Sequence, residues 1–155
     1  MNRILKISGI FVISTLYVSQ VTAITVSDKA NKLAQENIII DSHIDVPYRL
    51  EEKWVDVTKA TTDGDFDYPR AKQGGLNAPF MSIYIPASLD SSANSTKLAD
   101  KLIDYVEAIV GRAPDKFAIA SSTADVEQQF AKGLISLPLG MENGSPIQGD
   151  LANLK

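Results

Sequence analysis

Apolar and polar residues follow two alternating patterns along the chain. Four apolar runs, bounded by proline, glycine or polar residues, predict strands at 38–40, 78–86, 117–120 and 134–142. Apolar side chains at helical spacing predict helices at 25–37, 95–112 and 121–133, and a further helix begins within 145–155. Strands that alternate with helices in this way predict an α/β fold with a parallel sheet.

Finer features of these elements can also be predicted. The unbroken isoleucines at 38–40 predict a strand that is buried on both faces. Residues 51–77 are polar and contain three glycines, which predicts a long loop with one helical turn near 68–75. The residues predicted to cap helices are Ser27 or Asp28, Ser95 with Gly111, Ser122 with Asp125, and Gly133.

The N-terminus has the pattern of a secretory signal peptide, residues 1–23. Arg3 and Lys6 precede an apolar run, and the small-residue sequence VTA ends at Ala23. The apolar run is shorter than the roughly 20 residues that span a bilayer, so we expect no stable membrane anchor. The prediction is export to a periplasm or to the outside of the cell. Removing two cations with residues 1–23 changes the net charge from −4 to −6.

Composition narrows the possible functions. The chain is 45% hydrophobic and 22% charged, which is typical of a globular domain. The absence of cysteine excludes disulfides, thiolate zinc sites and a cysteine nucleophile. An acidic net charge and the lack of a basic patch argue against nucleic acid as a partner.

The only histidine lies in the segment NIIIDSHIDVPYRL, residues 37–50. Asp41, His43 and Asp45 occupy alternate positions after the isoleucines, and alternate residues of a strand point to one face. Imidazole nitrogens and carboxylate oxygens are standard ligands for zinc, and the ends of parallel barrel strands carry active sites. By itself, the H-x-D spacing favours an ordinary hydrogen-bonded histidine over a metal site. Asp41 can in either case be structural, holding the loop around His43.

Glu142 is a second candidate, because it ends the apolar run LISLPLGME. A carboxylate at the end of a buried strand can bridge two cations, since each oxygen can bind one. The alternative is a solvated glutamate in a turn.

Three segments resemble, in order, the motifs of the membrane (renal) dipeptidase family. DSHIDVPYRL is similar to the D-x-H-x-D-x-P segment of that family. DFDYPRAKQGGLNAPFMSIYIP is similar to its second block, in which an aspartate and Pro-Arg precede Gly-Gly and an aromatic-rich strand. GLISLPLGMENGSPI is similar to its third block, in which a glutamate follows a buried strand.

The resemblance implies a metal-dependent (β/α)8 TIM barrel that hydrolyses dipeptides, some with a D-residue at the C-terminal position. It implies two zinc ions that share an activated hydroxide. His43 and Asp45 match the pair that binds the first zinc, and Glu142 matches the carboxylate that bridges both. Asp41 matches a motif position without a metal role. Ile44 stands where many members have asparagine, and we expect this to change local packing without abolishing metal binding.

The chain is short for this family. A complete barrel takes about 250 residues, whereas removal of residues 1–23 leaves 132. The remaining zinc ligands of the family are histidines on later strands, and no histidine follows His43 here. We therefore expect residues 24–155 to be a truncated, N-terminal portion of the barrel that binds zinc weakly, aggregates and shows no turnover. The sequence leaves open whether the protein forms a homodimer.

Two other functions remain open from the sequence. The chain could be an exported, non-catalytic binding domain derived from the same fold. It could also be another metal-dependent hydrolase, such as a phosphotriesterase-like lactonase. Those lactonases typically carry H-x-H on the first strand, so the H-x-D of this chain favours the dipeptidase.

Overall fold

The structure, a computed structural model, describes residues 27–90 and 92–154. The predicted signal peptide lies outside the described residues. The helices and strands are α1 (Asp28–Glu36), β1 (Ile39–Ile44), α2 (Val46–Glu52), α3 (Tyr68–Gly74), β2 (Leu76–Tyr84), α4 (Ala93–Arg112), β3 (Phe117–Ile119), α5 (Thr123–Ala131), β4 (Ile135–Leu137) and β5 (Leu139–Glu142). Among these described segments, no helix is long and apolar enough to cross a membrane.

All the strand pairs are parallel, as predicted. One sheet has the order β1-β2-β5, and β3 pairs with β4 in a second sheet. The single strand predicted at 134–142 is wrong, because Pro138 divides it into β4 and β5. A proline has no N–H to donate to a neighbouring strand. Its carbonyl still accepts a hydrogen bond from the Met81 N–H at 2.8 Å.

The hydrophobic core lies between one face of β2 and the helices α2 and α4. Met81 and Ile83 alternate along β2, Ile85 directly follows it, and each is at most 3% exposed. The predicted apolar face of α4 supplies Leu102, Val106 and Ile109 to this core. The helical spacing of these residues therefore correctly predicted which side of α4 is buried.

Two predicted helix starts are confirmed, and the caps of α4 are corrected. Ser27 and Ser122 each accept a hydrogen bond from the backbone N–H three residues later, which caps α1 and α5. Ser92, not Ser95, is the N-cap of α4, and Ser95 lies buried in the first turn. Gly111 does not adopt the left-handed conformation of a C-cap glycine, so α4 continues through it. The helix predicted within 145–155 is replaced by two short 3-10 turns.

The prediction that the isoleucine strand is buried on both faces is wrong. Ile39 is 37% exposed and Ile40 is 57% exposed in β1, the edge strand of its sheet, and the face that carries Ile40 is uncovered. Beside this face lies an open cavity of about 700 Å³. Its walls include Ile40, Ala78, Phe80 and Leu139. The apolar run of β1 is therefore not a fully buried strand in the part of the chain that the structure describes.

The loop predicted at 51–77 is shorter than expected, because α2 extends to Glu52 and β2 begins at Leu76. The helical turn predicted near 68–75 is confirmed, because α3 spans Tyr68–Gly74. Arg49 on α2 donates hydrogen bonds to the carbonyls of Asp63 and Phe66. Arg70 on α3 donates to the carbonyl of Gly64. The connection between the two helices is therefore tied to both of them.

The two glycines at the end of α3 are expected to respond in opposite directions to alanine. Gly75 has φ +79°, and an added Cβ would lie 2.5 Å from the carbonyl oxygen of Ala34 in α1. Gly75→Ala should cost about 1–2 kcal/mol in the free energy of unfolding, because the left-handed conformation is unfavourable for alanine. It should also push α1 away from α3, which faster cleavage by trypsin after Lys32 would report.

Gly74→Ala is the matched control, because no atom lies within 4 Å of an added Cβ and φ is not positive. Alanine there should leave stability unchanged or raise it by about 0.5–1 kcal/mol. Urea unfolding of both variants measures the difference, and equal losses would contradict this account of Gly75.

Candidate metal centre

The end of β1 contains a bulge that changes which residues share a face. Between Asp41 and Ile44, β1 advances three residues, whereas their partners on β2, Pro79 and Met81, are two apart. An extra residue in one strand shifts the alternation of side chains beyond it. Ile44 packs toward the core, so the preceding residue, His43, points to the opposite face. The predicted common face for Asp41 and His43 is therefore wrong.

Asp41 instead contacts the backbone of the bulge. Its Oδ1 accepts a hydrogen bond from the His43 N–H at 3.0 Å. This contact agrees with the structural alternative for Asp41. Asp45 follows the last residue of β1 and is the N-cap of α2, but its side chain makes no capping hydrogen bond. The carboxylate of Asp45 is consequently available to contact His43.

The structure brings together the three predicted metal ligands. His43 Nε2 lies 3.3 Å from Asp45 Oδ1 and 3.0 Å from Glu142 Oε2. One ligand atom from each residue falls within 4.8 Å of the others. The three side chains are between 44% and 64% exposed, so an ion could reach them from solvent.

Strand order explains how residues 99 positions apart meet. His43 lies near the carboxyl end of β1, and Glu142 is the last residue of β5. Both strands run parallel to β2, which lies between them. The carboxyl ends of the strands therefore lie at the same edge of the sheet, as in the active sites of α/β enzymes.

Two residues near Glu142 were missed in the sequence. The Ser82 hydroxyl donates to Glu142 Oε2 at 2.9 Å. Asn143 has φ +75°, and its side-chain amide donates to the Ile85 carbonyl at 3.0 Å and to Asp90 Oδ1 at 2.7 Å. Asparagine before glycine is a signal for a left-handed turn, and a serine within an apolar strand is a signal for a buried polar contact.

The donor set fits a divalent metal ion such as zinc. Catalytic zinc sites commonly use three protein ligands drawn from imidazole and carboxylate groups, with a further position open. Ligands at about 2.0–2.1 Å from a tetrahedral zinc are separated by roughly 3.3 Å. The observed separations of 3.0 and 3.3 Å from His43 Nε2 agree with this spacing.

Comparison with known proteins decides the family. A family model for membrane dipeptidases, peptidase family M19, matches residues 27–155. The chain belongs to this family. Dipeptidase ataJ of Aspergillus terreus is 30% identical over 126 residues, which cover 74% of this chain and 31% of that protein. Dipeptidase aclJ of Aspergillus oryzae is 31% identical over 99 residues, which cover 59% of this chain and 24% of that protein.

Solved M19 structures share the fold. The crystal structure of dipeptidase AC, an M19 metallopeptidase, matches with a TM-score of 0.69 and 25% identity, covering 76% of this chain and 38% of that one. A metallopeptidase from Rhodobacter sphaeroides, bound to a phosphinate mimic of the dipeptide L-Ala-D-Ala, matches with a TM-score of 0.64 and 22% identity. That match covers 76% of this chain and 41% of that one. The predicted family and the predicted α/β fold, forming part of a dipeptidase barrel, are confirmed.

The chain spans a third or less of the length of these two fungal relatives. The described strands and the His43, Asp45 and Glu142 cluster therefore correspond to part of what those proteins contain. The roles of the three side chains as metal ligands stay predictions.

Proposed function

We propose that this chain contributes to the metal centre of a zinc-dependent dipeptidase. His43 and Asp45 would hold the first zinc, and Glu142 would bridge it to a second. The observation that carries the proposal is the convergence of these three side chains within 4.8 Å at the carboxyl ends of parallel strands. Membership of the M19 family supports dipeptides as the substrate class.

Each side chain has a distinct part in this proposal. His43 supplies a nitrogen donor, and the Asp45 and Glu142 carboxylates supply negative charge that attracts a divalent cation. Oε2 of Glu142 lies next to His43. The described residues donate no hydrogen bond to the other oxygen, Oε1, which is available to a second cation. Zinc, when bound, polarises the scissile carbonyl and makes hydroxide available near neutral pH.

The number of ligands limits what the chain can do alone. Three ligands are sufficient for one ion with an open coordination position, but two ions need more. The sequence has a single histidine. We therefore expect this chain to bind about one zinc and to show no dipeptide turnover by itself.

Binding of a substrate mimic tests the proposal without requiring turnover. Protein stripped of metal with a chelator is titrated with zinc chloride in a calorimeter, and then with a phosphinate mimic of L-Ala-D-Ala. We expect about one zinc per chain and binding of the mimic only after zinc is added. Dimethylphosphinate is the control ligand, because it has the same phosphinate group without the two amino-acid moieties of the dipeptide mimic. It should bind more weakly.

Failure to bind zinc would contradict the proposed function. Equal binding of the mimic with and without zinc would also contradict it. Dipeptide hydrolysis that disappears in His43→Ala would show that the present ligands are sufficient for catalysis, contrary to the expected lack of turnover.

A further inference from the structure

Ser82 is a buried polar residue that contacts the candidate metal centre. It lies in β2 within the run FMSIYI and is 2% exposed. Its hydroxyl donates to Glu142 Oε2 at 2.9 Å. The residue aligned with Ser82 on β5 is Gly140, which has no side chain to block the path from Ser82 to Glu142.

The hydroxyl contacts the same carboxylate oxygen that lies nearest His43. Glu142 Oε2 is 3.0 Å from His43 Nε2, and the Ser82 hydrogen bond therefore fixes this oxygen on the His43 side. Rotation of the carboxylate would break that bond. The other oxygen, Oε1, accepts no hydrogen bond from the described residues.

We propose that Ser82 is a positioning residue that assigns the two oxygens of Glu142 to different ions. Oε2 faces the ion held by His43 and Asp45, and Oε1 is kept for a second cation. This inference rests on the proposed function, because it gives Ser82 a role only if Glu142 binds metal.

The chemistry of the contact agrees with this role. A hydrogen bond to an ionised carboxylate is about twice as strong as one between neutral groups. Hydrogen-bond partners of metal ligands orient those ligands, and their loss typically weakens metal affinity by about 10- to 100-fold. If the Ser82 side chain only filled space in the strand, replacing its hydroxyl with hydrogen in alanine would not weaken metal binding.

Ser136 provides a matched control within the same chain. It is 1% exposed in β4, and its hydroxyl has no hydrogen-bond partner among the described residues. Ser136→Ala and Ser82→Ala therefore remove the same atom from two buried strands. Only Ser82→Ala removes a contact with a candidate metal ligand.

The test is zinc affinity, measured for the full chain by competition with a chromophoric chelator. We expect Ser82→Ala to weaken zinc binding by about 10- to 100-fold. Ser82→Thr should retain most of the affinity, because threonine keeps the hydroxyl and suits a strand. Ser136→Ala should bind zinc as the parent does. Circular dichroism confirms that each variant is folded.

A double-mutant cycle separates positioning from general packing. If Ser82 acts through Glu142, Ser82→Ala should change the affinity little further in a Glu142→Gln background. An additional full loss there would overturn the inference, as would equal losses in Ser82→Ala and Ser136→Ala. If the parent binds zinc and Ser82→Ala binds it equally well, the proposed role of Ser82 is overturned but the proposed function is not. No zinc binding by the parent overturns the proposed function.

Discussion

Replacing His43 with alanine is expected to weaken zinc binding by at least about 100-fold, or about 2.7 kcal/mol. The substitution removes the only nitrogen donor of the cluster and leaves two carboxylates whose side chains are 64% and 44% exposed. Partners that merely orient a metal ligand already contribute about 10- to 100-fold, so a direct ligand should contribute at least as much. A competition titration with a chromophoric chelator at pH 7 measures the change.

Asp41→Asn is the matched control for this prediction. Asp41 is an exposed acid two residues from His43, and an asparagine Oδ1 can still accept the hydrogen bond from the His43 N–H. The bulge is therefore kept while one negative charge is lost. Because the carboxylate is exposed and screened, zinc affinity should change by less than about threefold. A loss as large as that of His43→Ala would show that Asp41 belongs to the metal centre.

The contrast between Asp41 and His43 shows where sequence patterns stop being informative. Strand periodicity predicted that both residues point to the same face, and this holds for a regular strand. The bulge depends on how β1 aligns with Pro79 and Met81 on β2, which lie more than 30 residues later. Such a register is a tertiary property, and it was not visible in the residues around His43.

The helices and strands themselves were easier to predict from the sequence than the bulge. The spacing of Leu102, Val106 and Ile109 predicted the buried face of α4, because a single helix determines it. The division of 134–142 at Pro138 was harder, since it requires knowing that β4 and β5 pair with different strands. Strand content was thus predictable, whereas strand partners were not.

The candidate site depended on the family resemblance. The residues alone left His43 open between a hydrogen-bonded histidine and a metal ligand, and they left Glu142 open as a solvated turn residue. Their proximity follows from the order β1-β2-β5, which places the ends of distant segments at one edge. The contact between Ser82 and Glu142 has the same origin, because it joins residues on neighbouring strands 60 positions apart.

Asp67→Asn is expected to lower the free energy of unfolding by about 3 kcal/mol at pH 7. Asp67 is 1% exposed, and both its oxygens accept backbone hydrogen bonds. Oδ1 accepts from the Arg70 N–H at 2.9 Å, and Oδ2 accepts from the Thr61 N–H at 2.9 Å. An asparagine has only one carbonyl oxygen, so its amide group would face one of these donors in either orientation. The Arg70 side chain would also lose its ion pair.

The pH dependence of stability distinguishes the charge of Asp67 from its shape. Burial disfavours the charged carboxylate, but the hydrogen bonds from Arg70 and Thr61 outweigh burial and hold the pKa of Asp67 below its ordinary value. Its stabilising contribution is therefore complete above the unfolded-state pKa of about 3.9 and is lost as the pH falls through the lower folded-state pKa. Urea unfolding should show the parent and Asp67→Asn converging in stability toward that acidic range.

Asp65→Asn tests whether this effect belongs to Asp67 alone. Asp65 is an exposed acid two residues away, and its carboxylate makes no hydrogen bond with the described residues. Its replacement should change stability by no more than about 0.5 kcal/mol at any pH. Equal losses in the two variants would mean that the net charge of the connection matters and the buried contacts do not. A large loss confined to Asp67→Asn would show that this carboxylate holds the connection between α2 and α3 in place.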